Sequence, residues 1–145
     1  MGKVLQIAIR EASRAPMQML EVSDVTTDKG LVGDFRGSVA GRQVTVVVRE
    51  AWQAACEDLG IDLDWTTRRA NLLVEGLNLN MTTGKRLHIG DVVLHITGET
   101  TPCPRMEEAQ VGLQEALVPD WRAGVTCVVN TEGEIRVGDS VRLEG

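Results

Sequence analysis

The chain has 145 residues, 43% hydrophobic and 25% charged. That is the make-up of an ordinary globular protein able to enclose one core without disulfide staples, which excludes disordered and fibrous classes. A formal net charge of −6 argues against non-specific nucleic-acid binding, because phosphates must be neutralised by Lys and Arg.

The N-terminus has no charged-then-apolar signal pattern, and no apolar run approaches the roughly 20 residues that span a bilayer. The expectation is a cytoplasmic domain over residues 1–145 with no membrane contact. Short runs of Val, Ile, Leu and Thr, punctuated by Gly and Asp, predict more strand than helix. Residues 4–9 read as a first strand and residues 43–49 as a strongly β-branched, central one. Trp52, Ala55, Cys56 and Leu59 then fall at i, i+3, i+4 and i+7, the spacing of a short amphipathic helix that Gly60 ends.

Residues 71–74, 86–89 and 92–97 read as strands, with Gly90 and Asp91 forming a tight hairpin turn between the last two. The spacing of Ile135, Val137, Gly138, Asp139 and Val141 echoes that of Leu87, Ile89, Gly90, Asp91 and Val93, and predicts a second hairpin built alike. Between them lie a helix over 105–117, with Met106, Ala109, Leu113, Ala116 and Leu117 on one face, and a strand over 125–130. Two echoing units are too few for a solenoid. A closed or nearly closed β-barrel with two short helices, mainly β within the α+β class, covers these strand edges most simply.

Three cysteines, at 56, 103 and 127, form neither a disulfide framework nor a zinc site, and His88 and His95 add no metal-ligand pattern. Cys56 belongs to a helix stripe and Cys127 alternates with Val125 and Val129, so both read as core. Cys103 differs. In Thr100-Thr101-Pro102-Cys103-Pro104-Arg105 it takes the N-cap position, with Pro104 first in the helix. The helix dipole and Arg105 would favour thiolate over thiol, and flanking prolines would hold the sulfur for carrying a sulfur atom or ligating a soft metal. The alternative is an inert, half-buried thiol.

Arg36, Arg42, Arg68, Arg69, Arg105 and Arg122 lie near turns or element ends. Such clustering in an acidic protein suggests a small anionic ligand, with solvated ion pairs as the alternative. Arg68, Arg69 and Asn71 precede an apolar strand and combine forked donors for phosphate or carboxylate with an amide for a heterocycle edge. The stretch from Gly33 to Gly37 is neither a Walker loop nor a GxGxxG fingerprint.

Taken in order, these segments resemble the small stand-alone members of the MOSC family, the C-terminal domain of molybdenum-cofactor sulfurases. The match runs from Gly33-Asp34 with Arg36-Gly37 through Arg42-Gln43-Val44 and Arg68-Arg69-Ala70-Asn71-Leu72 with Glu75-Gly76. It continues through Ile89-Gly90-Asp91 and Pro102-Cys103 to Trp121-Arg122 and Gly138-Asp139. The resemblance implies a strand-rich barrel in which Cys103 corresponds to the family cysteine, proposed to carry sulfur as a persulfide or to bind molybdenum. It also implies that Arg69 and Asn71, as an Arg-x-Asn motif, contact the pterin and its phosphate, with Arg68, Arg105 and Arg36 around them.

The cofactor so implied is the molybdenum cofactor, not pyridoxal phosphate, and the implied partner is a sulfur donor protein. Two other readings stay open: a non-catalytic pterin-binding or anion-binding regulator, and a molybdenum-dependent reductase of N-hydroxylated compounds needing a separate redox partner. Phe35 stands where relatives often have His, and Thr101 where they often have Asp. If those polar residues assist proton transfer, these departures bear on catalysis more than on binding.

Overall fold

The structure, a computed structural model, describes residues 1–145. In chain order it contains β1 (Gly2–Ile9), β2 (Gln18–Leu20), β3 (Val22–Thr26), β4 (Gly30–Leu31), β5 (Val44–Val48) and α1 (Arg49–Leu59). There follow β6 (Leu72–Glu75), β7 (Arg86–Ile89), β8 (Val92–Glu99), α2 (Pro104–Ala109), α3 (Leu113–Ala116), β9 (Val125–Thr131), β10 (Gly133–Arg136) and β11 (Ser140–Glu144). Seven strands close on themselves in the order β11-β7-β8-β9-β5-β6-β1, with Gly2 of β1 opposite Val141 of β11. β2 pairs with the far half of β1. Only β5 and β6 are parallel, as expected of strands linked by a crossover that contains a helix. A three-stranded sheet, β10-β3-β4, lies beside the barrel. The protein is therefore mainly β, with a closed barrel and three short helices.

The two-residue period of the strands divides the core in two. Val4, Ile7 and Ile9 of β1, Val44, Val46 and Val48 of β5, and Val125, Cys127 and Val129 of β9 fill the interior. Ala8, Val47 and Leu73 point outward and are covered by Trp52, Ala55 and Cys56 of α1, by Trp65, and by Met106, Leu113, Ala116 and Leu117. Both faces of β5 are thus covered, which explains its near-continuous run of valines. α1 ends as its sequence predicts: Gly60 takes the left-handed conformation, and Gly60 and Ile61 return their N–H groups to Glu57 and Cys56.

Two expectations are corrected. The segment around Gly138 and Asp139 is no hairpin, because β10 pairs with β3 while β11 pairs with β7 and β1. Gly138 donates to the carbonyl of Val4, and Val4 donates to that of Asp139, so the turn carries the chain from the small sheet to the barrel seam. The helix expected over 105–117 is two helices. Gln110 is extended and Gly112 left-handed, while the Glu107 carboxylate accepts from the N–H of Gly112 at 2.8 Å and of Gln114 at 3.3 Å. α2 has only six residues, so the helix-dipole argument for Cys103 carries little weight. The strands β2, β3 and β4 are short, and periodicity did not mark them, whereas β10 overlaps the first arm of the expected hairpin and differs in its partner.

Candidate functional site

A cleft of about 800 Å³ opens on the outer face of the barrel wall, where β1 ends and β5 and β6 begin. Its lining comes from separate parts of the chain: Arg10 and Arg14 after β1, Asp34, Arg36 and Arg42 from the loop before β5, and Thr45 on the outward face of β5. Thr67, Arg68, Arg69 and Asn71 enter ahead of β6, and Thr100, Thr101, Cys103 and the α2 residues 104–106, 108 and 109 enter after β8. Five of the six arginines grouped by the sequence therefore meet here, together with Cys103 and Asn71. The sixth, Arg122, is elsewhere, bonded to Asp58 at 2.6 Å and to the Ala116 carbonyl at 2.9 Å.

Arg10, Arg14 and Glu108 are the charged cleft residues that the sequence reading passed over. The available signal for the two arginines was a basic residue just past the end of β1, followed by a segment without apolar period.

Local structure fixes where each side chain goes. A single 3-10 turn, Trp65–Arg68, is capped by Asp64, whose carboxylate accepts from the N–H and hydroxyl of Thr66 at 2.9 and 2.7 Å. Arg69 ends the turn at φ 62°, a left-handed conformation that a non-glycine residue adopts at a cost. That twist sends the two neighbouring guanidinium groups to different partners. Arg68 is buried, with Nε donating to the Ala123 carbonyl at 2.8 Å, whereas Arg69 donates to the carbonyl of Ala15. Arg105, exposed on α2, reaches the Ser13 hydroxyl at 3.4 Å.

The amide of Asn71 is largely occupied within the fold. Its oxygen accepts from the N–H and hydroxyl of Thr45 at 3.0 and 3.2 Å, and its nitrogen donates to the Ala8 carbonyl at 3.2 Å. One amide hydrogen remains for a ligand. Phe35 lies against two guanidinium groups, its ring 5.0 Å from Arg10 and 5.4 Å from Arg36, within cation–π range. Thr101 is exposed on the rim.

Charge sets the cleft apart. Seven arginines and no lysine line it, against the two carboxylates of Asp34 and Glu108, a surplus of five positive charges in a chain whose net charge is −6. All five arginines outside the cleft, Arg49, Arg86, Arg122, Arg136 and Arg142, have a carboxylate within 4.0 Å. Among the seven inside, only Arg14 does, at 3.7 Å from Glu108.

The buried side-chain polar atoms without a hydrogen-bond partner are Nε of Arg36, Nη2 of Arg68, Nε of Arg69 and Oγ1 of Thr100, and all four residues line this cleft. Native proteins rarely leave such groups unpaired. Burial, followed by repulsion from Arg69 and Arg36, lowers Arg10 to about 10. Burial also lowers Arg68 to about 10, with Cys103 acting in the opposite sense. Arg69 is lowered by burial and then by Arg105. The cleft thus holds mutually repelling cations with only Asp34 and Glu108 as counter-charge.

Cys103 is half-buried in the cleft wall at the N-cap of α2, with no hydrogen bond from its side chain to the helix. Cys56 and Cys127 are buried, and burial pushes the Cys127 thiol well up. No group of three or more His, Cys, Asp or Glu side chains stands ready to hold a metal, and no helix is long and apolar enough to cross a membrane.

A search of the curated proteins by sequence found no match. Among solved structures, the YUAD protein from Bacillus subtilis superposes with a TM-score of 0.83 at 19% identity, covering 99% of this chain and 96% of that one. YiiM from Geobacillus stearothermophilus gives 0.77 at 15% identity, covering 100% and 76%. YiiM from Escherichia coli gives 0.74 at 14%, covering 99% and 70%. These likenesses establish the shared fold. The sequence itself matches the MOSC domain over residues 30–142, a span that holds most of the cleft and Cys103, and the chain therefore belongs to the MOSC domain family.

Proposed function

We propose that residues 1–145 form one cytoplasmic, molybdenum-cofactor-related domain in which Cys103 is the sulfur carrier or the molybdenum ligand. The cleft arginines hold the phosphate of the pterin. The observation that carries this reading is the pairing pattern: every arginine outside the cleft has a carboxylate, while six of the seven inside have none, and Arg36, Arg68, Arg69 and Thr100 keep buried donors unmatched. Donors without acceptors suit phosphate oxygens, and forked guanidinium groups bind them in pairs. A thiol on the same wall suits a soft metal. The residues present therefore fit the group.

In this reading Arg69, Arg105 and Arg36 take the anionic end, and the free amide hydrogen of Asn71 faces a heterocycle edge. Arg68, buried in the lining of the same cleft as Cys103, is a fixed cation. When bound, the cofactor would supply two-electron oxygen-atom or sulfur chemistry at molybdenum. Without it, the thiolate of Cys103 can accept a sulfur atom from a donor persulfide: a new S–S bond forms at Cys103, the donor's S–S bond breaks, and the donor departs as its thiolate. A sulfur donor protein is the partner this step needs.

The test is purification from cells that make the cofactor, followed by acid oxidation and measurement of pterin fluorescence. Near-stoichiometric, phosphate-bearing pterin is expected. None in the wild type, with the protein folded, would overturn cofactor binding.

A further inference from the structure

We propose that the cleft takes thiosulfate as a sulfur donor: Cys103 accepts the outer sulfur, and the arginines hold the sulfite that leaves. This rests on the reading of Cys103 as a sulfur carrier and names the class of small molecule that loads it, a sulfane-sulfur oxyanion.

Three observations lead there. The cleft's surplus of five positive charges exceeds what one phosphate monoester neutralises, about two, so there is positive charge for a second anion. Two of the cleft's donors, Arg68 and Thr100, are deeply buried. Arg68 is 8% exposed and Thr100 is 6% exposed, and each keeps a polar atom without a partner. Both line the same cleft as the thiol, and Cys103 is the strongest favourable influence on the charge of Arg68.

Thiosulfate matches both halves of this arrangement. Its sulfonate oxygens are acceptors only, suited to guanidinium and hydroxyl donors, and its outer sulfur is electrophilic toward a thiolate. Thiolate and thiosulfate are both anions and repel each other in water, so a surround of fixed cations is the feature such an encounter requires.

The step balances. The Cys103 thiolate attacks the outer sulfur, the Cys103 S–S bond forms, and the S–S bond of thiosulfate breaks with its electron pair leaving on sulfite. Three negative charges enter and three leave. A thiol acceptor, or cyanide as a chemical probe, then removes the carried sulfur and restores the thiolate.

The experiment treats the purified protein with thiosulfate and, separately, with an aminoalkyl persulfide, whose ammonium balances the persulfide anion to give a donor of zero net charge, reading a gain of one sulfur by intact mass and sulfite in solution. Wild type should gain one sulfur from either donor, with sulfite released in equal amount from thiosulfate, and Cys103→Ser should gain none. Arg42 is exposed and has no ion pair, so Arg42→Gln should leave the fold intact. It should slow loading by thiosulfate about tenfold while leaving loading by the neutral donor within about twofold, the signature of lost electrostatic attraction.

Loading by the aminoalkyl persulfide but not by thiosulfate overturns the thiosulfate assignment and leaves the sulfur-carrier reading standing. Loading by neither overturns both. Sulfur gained by Cys103→Ser, or an equal effect of Arg42→Gln on both donors, overturns the assignment as well.

Discussion

Arg68 donates Nε to the carbonyl of Ala123 across 2.8 Å while its Nη2 stays buried without a partner. One side of the guanidinium is thus tied to the turn that leads into β9, and the other is left unmatched on the cleft. The carbonyl keeps its place because Gly124 follows it: at φ +98°, a Cβ there would lie 2.1 Å from the Val46 carbonyl oxygen. The fold therefore holds a buried cation in a fixed position and leaves its charge unmet, an arrangement that costs stability unless an anion arrives.

Millimolar phosphate should accordingly stabilise the protein more than chloride at equal ionic strength, by about 2.7 kcal/mol when phosphate reaches a hundred times its Kd. The pH dependence follows from the lowered Arg10 and Arg68. Between about 10 and the ordinary arginine value the unfolded chain binds more protons than the folded one, so this source makes stability rise with pH there. The gain from phosphate should shrink over the same window as the cations are lost. Thermal unfolding from pH 8 to 11, with and without phosphate, checks both trends. A phosphate effect no larger than chloride's at pH 8 would count against an anion site.

Arg69 and Asn71, paired in the Arg-x-Asn motif, should separate on mutation. Arg69→Ala should weaken binding of the anionic cofactor by roughly 1.5–3 kcal/mol, the range for a hydrogen bond to a charged group, with little loss of stability. Asn71→Ala removes three hydrogen bonds that join β1, the start of β5 and the approach to β6, and should cost about 2–4 kcal/mol of folding stability. Denaturant titration and cofactor retention, measured on both variants, make the comparison. Equal stability losses would show Arg69 to be structural.

These residues also mark what the sequence could reveal. The valine run of β5, the stripe of α1 and the Gly90 turn were legible because a strong local period or a glycine specified each. The false second hairpin was not, since the partners of β10 and β11 are strands more than a hundred residues earlier and some fifty residues earlier respectively. Local spacing cannot choose between them. Arg36, Arg42, Arg68, Arg69 and Arg105 could be read as an anion-binding group, but Arg122, identical in type and context, could not be told from them until its pairing with Asp58 was seen. Arg10 was missed because only the pairing of β1 with β6, and of β6 with β5, brings the end of β1 beside the loop that holds Asp34.

Of the three thiols, Cys103 should react first with an alkylating agent at neutral pH. It is half-buried on an open cleft, whereas Cys56 and Cys127 are enclosed in the two cores. Peptide mapping after limited labelling of the native protein gives the order. Faster labelling of Cys56 or Cys127 would show that Cys103 is not the reactive thiol of the protein.

Whether Cys103 acts as sulfur carrier or metal ligand is decided by comparing what it carries with what a serine in its place carries. Wild type and Cys103→Ser are purified from cells able to make the cofactor, and each is taken through elemental analysis for molybdenum and intact mass. Serine is a favoured N-cap residue and should hold α2 with a stability change under about 1 kcal/mol, but its hydroxyl neither carries sulfur nor replaces a thiolate ligand. Molybdenum or one added sulfur is expected on the wild type and neither on Cys103→Ser at an unchanged melting temperature. Equal loading of the two proteins, or a variant that melts far earlier, would contradict either role for Cys103.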